Sequence, residues 1–134
     1  MVRTLVLILA LSLLALAQKP EIKQVAPKPT NPAVGAEMFK EYCATCHGLD
    51  AKGGGPAAAA MKRPVPDLTM LSKNNGGKFP ETKVYNSIQG DMVASHGSKD
   101  MPVWGSVLRG VSRDDATVKM RLTNLTNYIK SLQK

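Results

Sequence analysis

Aromatic side chains are scarce in this sequence: two Phe, three Tyr and one Trp among 134 residues. That leaves open what fills the core, because such rings usually dominate core packing. Cysteine is rarer still, at two, too few for a disulfide scaffold or a four-cysteine zinc site. Acidic residues are outnumbered, 10 Asp+Glu against 18 Lys+Arg, for a net charge of +8. The basic residues form no stripe interleaved with aromatics, which excludes a nucleic-acid-binding surface. Beyond residue 16 there is no long apolar run. With 43% hydrophobic and 21% charged residues, the chain is neither disordered nor a multi-span membrane protein. Its length admits one domain, since a second core would need about 50 further residues.

The first seventeen residues read as a secretory signal. Arg3 supplies a basic start, Thr4 to Leu16 is almost wholly apolar, and Ala15-Leu16-Ala17 is a small-x-small cleavage site. The apolar run falls short of the ~20 residues that span a bilayer, which argues against the competing reading of an uncleaved anchor. Cleavage after Ala17 removes a single charged residue, Arg3, and leaves a basic, exported protein without stable membrane insertion. Residues 18–32 hold Pro20, Pro27, Pro29 and Pro32 with Lys19, Lys23 and Lys28 between them. This composition predicts an extended, solvated linker, followed by a domain over 33–134.

The chemistry concentrates in Cys43-Ala44-Thr45-Cys46-His47, a C-x-x-C-H sequence. Two thiols three positions apart lie on nearly one side of a helical turn, where both reach the vinyl groups of one porphyrin. The adjoining His47 then supplies an axial imidazole, the pattern of c-type haem attachment. Three other readings use the same residues. A dithiol-disulfide oxidoreductase needs a βαβ context that the flanking sequence does not suggest. Zinc needs a second ligand pair, and His96 is the remaining conventional donor. A structural disulfide across two residues is rarely used for stability alone.

Helical patterning surrounds this motif. Asn31 reads as an N-cap with Pro32 at the first helical position, and Val34, Met38 and Tyr42 make an apolar stripe leading to Cys43. Residues 48–80 read as loop, punctuated by Gly53-Gly54-Gly55-Pro56, Pro64-Val65-Pro66 and Asn74-Asn75-Gly76-Gly77, with a short helical turn over 57–61. So long a loop needs an organiser other than secondary structure, and a buried haem would supply both that and the missing core bulk. Glu81 to Gln89 is helical, with Val84, Tyr85 and Ile88 on one face and Gly90 as its stop. The last helix is capped by Ser112, with Asp114 and Asp115 in its first turn. Val118, Leu122, Leu125, Ile129 and Leu132 form its apolar seam.

Cys43-Ala44-Thr45-Cys46-His47-Gly48, together with Gly35, Phe39, Pro66-Asp67-Leu68, Gly90, Met101-Pro102 and Leu125-Thr126-Asn127-Tyr128-Ile129, resembles the class I cytochrome c family over residues 34–132. The resemblance implies an all-α, cytochrome c-like fold of three to four helices and long loops around one covalently bound haem c, held by Cys43 and Cys46. It also implies that the last helix crosses the first near Gly35, with Tyr128 against Phe39. The Met101-Pro102-Val103-Trp104-Gly105 segment looks like the family's distal methionine loop, making Met101 the sixth iron ligand. His96 and Met92 are the competing donors, while Met61 and Met70 lie close to the proximal segment and Met120 within the last helix. The Pro66 carbonyl would accept the His47 ring N–H and Leu68 would pack on the porphyrin, with Pro64 a competing alignment. Trp104 and Tyr85 would reach a propionate or simply pack, and Arg109 and Arg113 are candidate counter-charges.

His/Met ligation raises the reduction potential and leaves no open position on the iron, so the expectation is a monomeric periplasmic electron carrier, not an enzyme. The alternative in the same compartment is a haem subunit of a specific oxidoreductase complex. Lys40, Lys52, Lys62, Lys73, Lys78, Lys83 and Lys99 suggest steering toward redox partners with acidic docking faces.

Overall fold

The computed structural model describes residues 26–90, 101, 104–112 and 114–134. The expected signal sequence, His96, Met92, Lys99, Pro102 and Arg113 lie outside the described residues.

The described residues contain helices and loops and no strand, an all-α fold. The first helical unit runs in three consecutive pieces: α1 (Gly35–Met38), a π-helical turn (Phe39–Cys43) and α2 (Ala44–His47). Met38, Phe39, Tyr42, Cys43, Ala44 and His47 are its buried residues, whereas Val34, the first residue of the expected stripe, is 40% exposed. The helix starts four residues after the expected cap. Asn31 Oδ1 accepts from the Ala33 N–H (3.0 Å) and the Asn31 carbonyl from the Val34 N–H (3.2 Å). Asn31 therefore closes a turn on its own neighbours, the usual competitor of helix initiation at Asn.

Residues 48–80 carry three 3₁₀ turns, at Ala58–Ala60, Leu68–Met70 and Lys73–Asn75, the first inside the turn expected over 57–61. Helix α3 (Glu81–Gln89) buries Val84 and Ile88 and stops at Gly90, whose φ of +102° is a left-handed stop suited to glycine. Helix α4 (Trp104–Val111) buries Trp104, Gly105 and Leu108. Helix α5 (Asp115–Ser131) buries Val118, Leu122, Leu125 and Ile129 along the expected seam, and Leu132 is half-buried just beyond it.

Asp114, not Ser112, caps α5: its Oδ1 accepts from the Thr117 N–H at 2.8 Å. Ser112 instead ends α4, its N–H donating to the Leu108 carbonyl at 2.9 Å, and its hydroxyl is buried against Arg121.

Helix α5 is the hub, packing on α1, α3 and α4. At the α1 crossing, a Cβ on Gly35 would collide with the Asn124 carbonyl oxygen and stand 2.7 Å from Tyr128 Cβ, so only glycine permits this approach. Phe39 and Tyr128 meet one turn further on, ring centroids 5.4 Å apart and tilted 52°. The segment read as a solvated linker is tied down at its end. Thr30 is buried, the Tyr42 hydroxyl donates to the Lys28 carbonyl (2.7 Å), and Asn124 Nδ2 donates to the Pro32 carbonyl (2.9 Å).

Candidate haem-attachment site

The π-helical turn ends on Cys43, and α2 carries Cys46 and His47. Cys43 is buried, Cys46 half-buried, and the two thiols are not joined. Burial pushes the Cys43 thiol up to about 12, aided by the neighbouring Cys46 charge, and burial also raises Cys46. Both are held as neutral thiols. His47 is buried, and its Nδ1 is sealed from solvent.

The loop after His47 is sewn onto this turn by its backbone. Gly53 N–H donates to the His47 carbonyl (2.8 Å), Gly55 N–H to Cys46 (3.1 Å) and Ala57 N–H to Thr45 (2.9 Å). A Cβ on Gly55 would stand 2.6 Å from both the Ala44 oxygen and the Cys46 carbonyl carbon, so two backbones are in direct contact here. Ala51, fully buried, adopts φ +60°, a left-handed conformation costing an alanine about 1 kcal/mol.

Leu68 stands at the next stitch. Its N–H donates to the Ala51 carbonyl (2.8 Å), and its own carbonyl accepts from Gln133 Nε2 (2.7 Å). Gln133 also accepts from the Ser72 N–H (2.8 Å) and donates to the Ile129 carbonyl (2.8 Å). Gln133, just beyond α5, thus fixes the Leu68–Ser72 segment. Asp67 caps that turn, accepting from Thr69 N (2.8 Å) and Oγ1 (2.7 Å), which holds its carboxyl below the usual range. The Pro66 carbonyl lies against Gly53 in the loop that begins at His47.

Met101, Leu68, Tyr85, Leu71 and Phe79 are half-buried and rest on the hydrophobic cluster that contains Cys43 and Trp104. Trp104 stacks on Tyr42, centroids 5.3 Å apart at 29°. The structure thus brings Cys43, Cys46 and His47 onto one turn, and Met101, Leu68, Tyr85 and Trp104 onto the adjoining core. Arg109 and Lys40, Lys52, Lys62, Lys73, Lys78 and Lys83 are all exposed. A shallow groove of about 440 Å³ beside Lys78, Phe79, Lys83 and Lys130 contains none of the expected site residues.

These residues fit a c-type haem: two unjoined thiols, a buried imidazole beside them, and apolar side chains that share one cluster yet keep open faces. Among the described residues, no three His, Cys, Asp or Glu side chains gather to hold a metal ion directly. No helix among them is long and apolar enough to cross a membrane.

Sequence reasoning missed Arg121 and Gln133. Neither breaks a hydrophobic period, and their partners come from segments distant in the chain.

An all-α frame closing on a C-x-x-C-H turn defines a class I c-type cytochrome domain, an electron-transfer protein of the haem c type. The family model described as cytochrome c oxidase, cbb3-type, subunit III matches residues 30–117, and the chain belongs to that family. No solved structure matches the chain.

Proposed function

We propose that this protein is an exported one-electron carrier, with one haem c tethered through Cys43 and Cys46 and ligated axially by His47 and Met101. The observation that carries the reading is the single turn on which two unjoined thiols adjoin a buried imidazole, sealed by the 53–57 backbone. When bound, the haem supplies a one-electron Fe(III)/Fe(II) couple. His47 and Met101 would hold the iron, and a thioether ligand favours the reduced state relative to a second imidazole. Leu68, Tyr85 and Phe79 would cover the porphyrin and exclude water.

The dithiol-oxidoreductase alternative fares worse. Such enzymes attack through an accessible thiol whose pKa is lowered, whereas Cys43 is buried and pushed up to about 12. The signal sequence and the family together support a periplasmic location. A second reading, a haem subunit of an oxidoreductase complex, draws on the family's own description as an oxidase subunit.

The test is a redox-poised visible spectrum of periplasmically expressed protein, with a pyridine haemochrome assay and intact mass. One covalent haem and a far-red thioether-to-iron band in the ferric state are expected. Mature protein without added haem sinks the reading, and ready binding of cyanide or CO sinks the Met101 assignment. Stoichiometric co-purification with a catalytic subunit would favour the complex.

A further inference from the structure

Arg121 is a buried cation, only 5% exposed. The ion pairs among the described residues, Lys52–Asp50 and Lys130–Glu81, both lie at the surface, and no described carboxylate pairs with Arg121. Neutral oxygens hold it instead. Its Nε donates to Ser112 Oγ, Nη1 to Thr30 Oγ1 and Nη2 to the Thr30 carbonyl, each at 2.8 Å. Thr30 Oγ1 in turn shares a 2.8 Å hydrogen bond with the Tyr42 hydroxyl, which donates to the Lys28 carbonyl at 2.7 Å. Every donor in this chain then points away from the guanidinium, so each bond polarises the next.

An arginine in a protein keeps its charge, and burying it without a carboxylate is costly. Through Thr30 the charge is linked to Tyr42, which touches both segments that carry the candidate haem ligands. Tyr42, two hydrogen bonds from the guanidinium, precedes Cys43 and stacks on Trp104, three residues after Met101. Ser112 closes the helix that Trp104 begins.

We propose that Arg121 is a fixed internal charge that raises the reduction potential of the haem, an inference that rests on the haem c reading above. Reduction adds one electron, supplied by an external redox partner, and removes one unit of positive charge from the iron. A permanent cation nearby, in an interior of low dielectric, favours that change.

Haem-loaded wild type, Arg121→Gln, Ser112→Asp and Thr30→Val are compared by mediated spectroscopic redox titration, after a haemochrome assay on each. Arg121→Gln is expected to shift the equilibrium toward Fe(III) about tenfold, equal to about 59 mV for one electron. Ser112→Asp sets a carboxylate against Nε, neutralising the cation without removing it, and is expected to shift the potential the same way. Thr30→Val breaks the network but leaves the charge, and should shift it less than about twofold. The Arg121→Gln difference should persist from low to high salt, because buried charge is screened little. Wild-type and Arg121→Gln potentials that coincide, or a Thr30→Val shift as large as the Arg121→Gln shift, overturn the proposal. If Arg121→Gln does not fold, an unshifted Ser112→Asp overturns it. Wild type without covalent haem fails the underlying reading itself, whereas loaded variants that titrate together fail only the role of Arg121.

Discussion

Where α1 crosses α5, apolar side chains pack around a close backbone approach at Gly35; through residues 48–80, backbone hydrogen bonds hold the chain. The crossing is a dense apolar contact of Phe39, Tyr128, Leu125 and Ile129 over a glycine, and needs nothing further to exclude water. The loop is held by N–H to carbonyl bonds onto His47, Cys46, Thr45 and Ala51, while its large apolar residues Leu68, Leu71 and Phe79 stay half-buried. Exposed apolar faces gain no stabilisation from burial. The frame is a finished core, whereas under the proposed function the loop would be one wall of a core whose other wall is the prosthetic group.

The harshest test of that contrast replaces both anchors. Cys43→Ser with Cys46→Ser should abolish covalent haem staining altogether. Amide exchange should then speed up at least about tenfold more in residues 48–80 than in α5; equal acceleration in both regions would show that the loop does not depend on the group. Phe39→Ala attacks the finished core and should cost about 3–5 kcal/mol in denaturant unfolding of the loaded protein. Gly35→Ala forces apart two backbones at the same crossing and should cost about 1–3 kcal/mol, with the visible spectrum retained after folding.

Gln133→Ala cuts the bonds to Leu68 and Ser72. Its effect, about 1–2 kcal/mol, should appear in exchange of the 68–72 amides and leave the α1–α5 crossing unchanged. Acid gives the smallest effect. Asp67 in the loop and Asp114 at the α5 cap both have carboxyls held below the ordinary value, chiefly by hydrogen bonds from Thr69 and Thr117. Their contribution is fully present above the unfolded carboxylate value of about 3.9 and is lost as pH falls through the lower folded values. Thermal midpoints of wild type should therefore converge toward those of Asp67→Asn and Asp114→Asn below about pH 4. A gap between wild type and either variant that stays constant in acid would remove that carboxylate from the balance.

Much of the frame could be read in advance. The 4, 3, 4, 3 spacing from Val118 to Leu132 predicts the α5 seam, and Gly90 the end of α3, because periodicity and a left-handed stop are local properties. Helix starts were less legible. Asn31, Ser112 and Asp114 are all capping residue types, and which of them caps depends on what else each side chain can bond. The C-x-x-C-H turn was plain in the sequence. The parts that steady it were not: Thr30 is ninety-one positions from Arg121 and Leu68 sixty-five from Gln133, and no local pattern marks an arginine or glutamine for burial. The end of the proline-rich segment reads as solvated for the same reason, since the Tyr42 hydroxyl and Arg121 that claim it lie far along the chain.

The π-helical turn at Phe39–Cys43 acts as a phase adjuster between two jobs done by one rod. Upstream, Gly35 must face α5; downstream, on the proposed function, Cys46 and His47 would have to face the porphyrin. A regular helix advances about 100° per residue, so the wider turn changes the angular offset between those two faces. Deleting one solvent-facing residue there, Lys40 or Glu41, would let the rod rewind uniformly and swing the thiols around its axis, yielding a folded protein that the attachment machinery no longer loads.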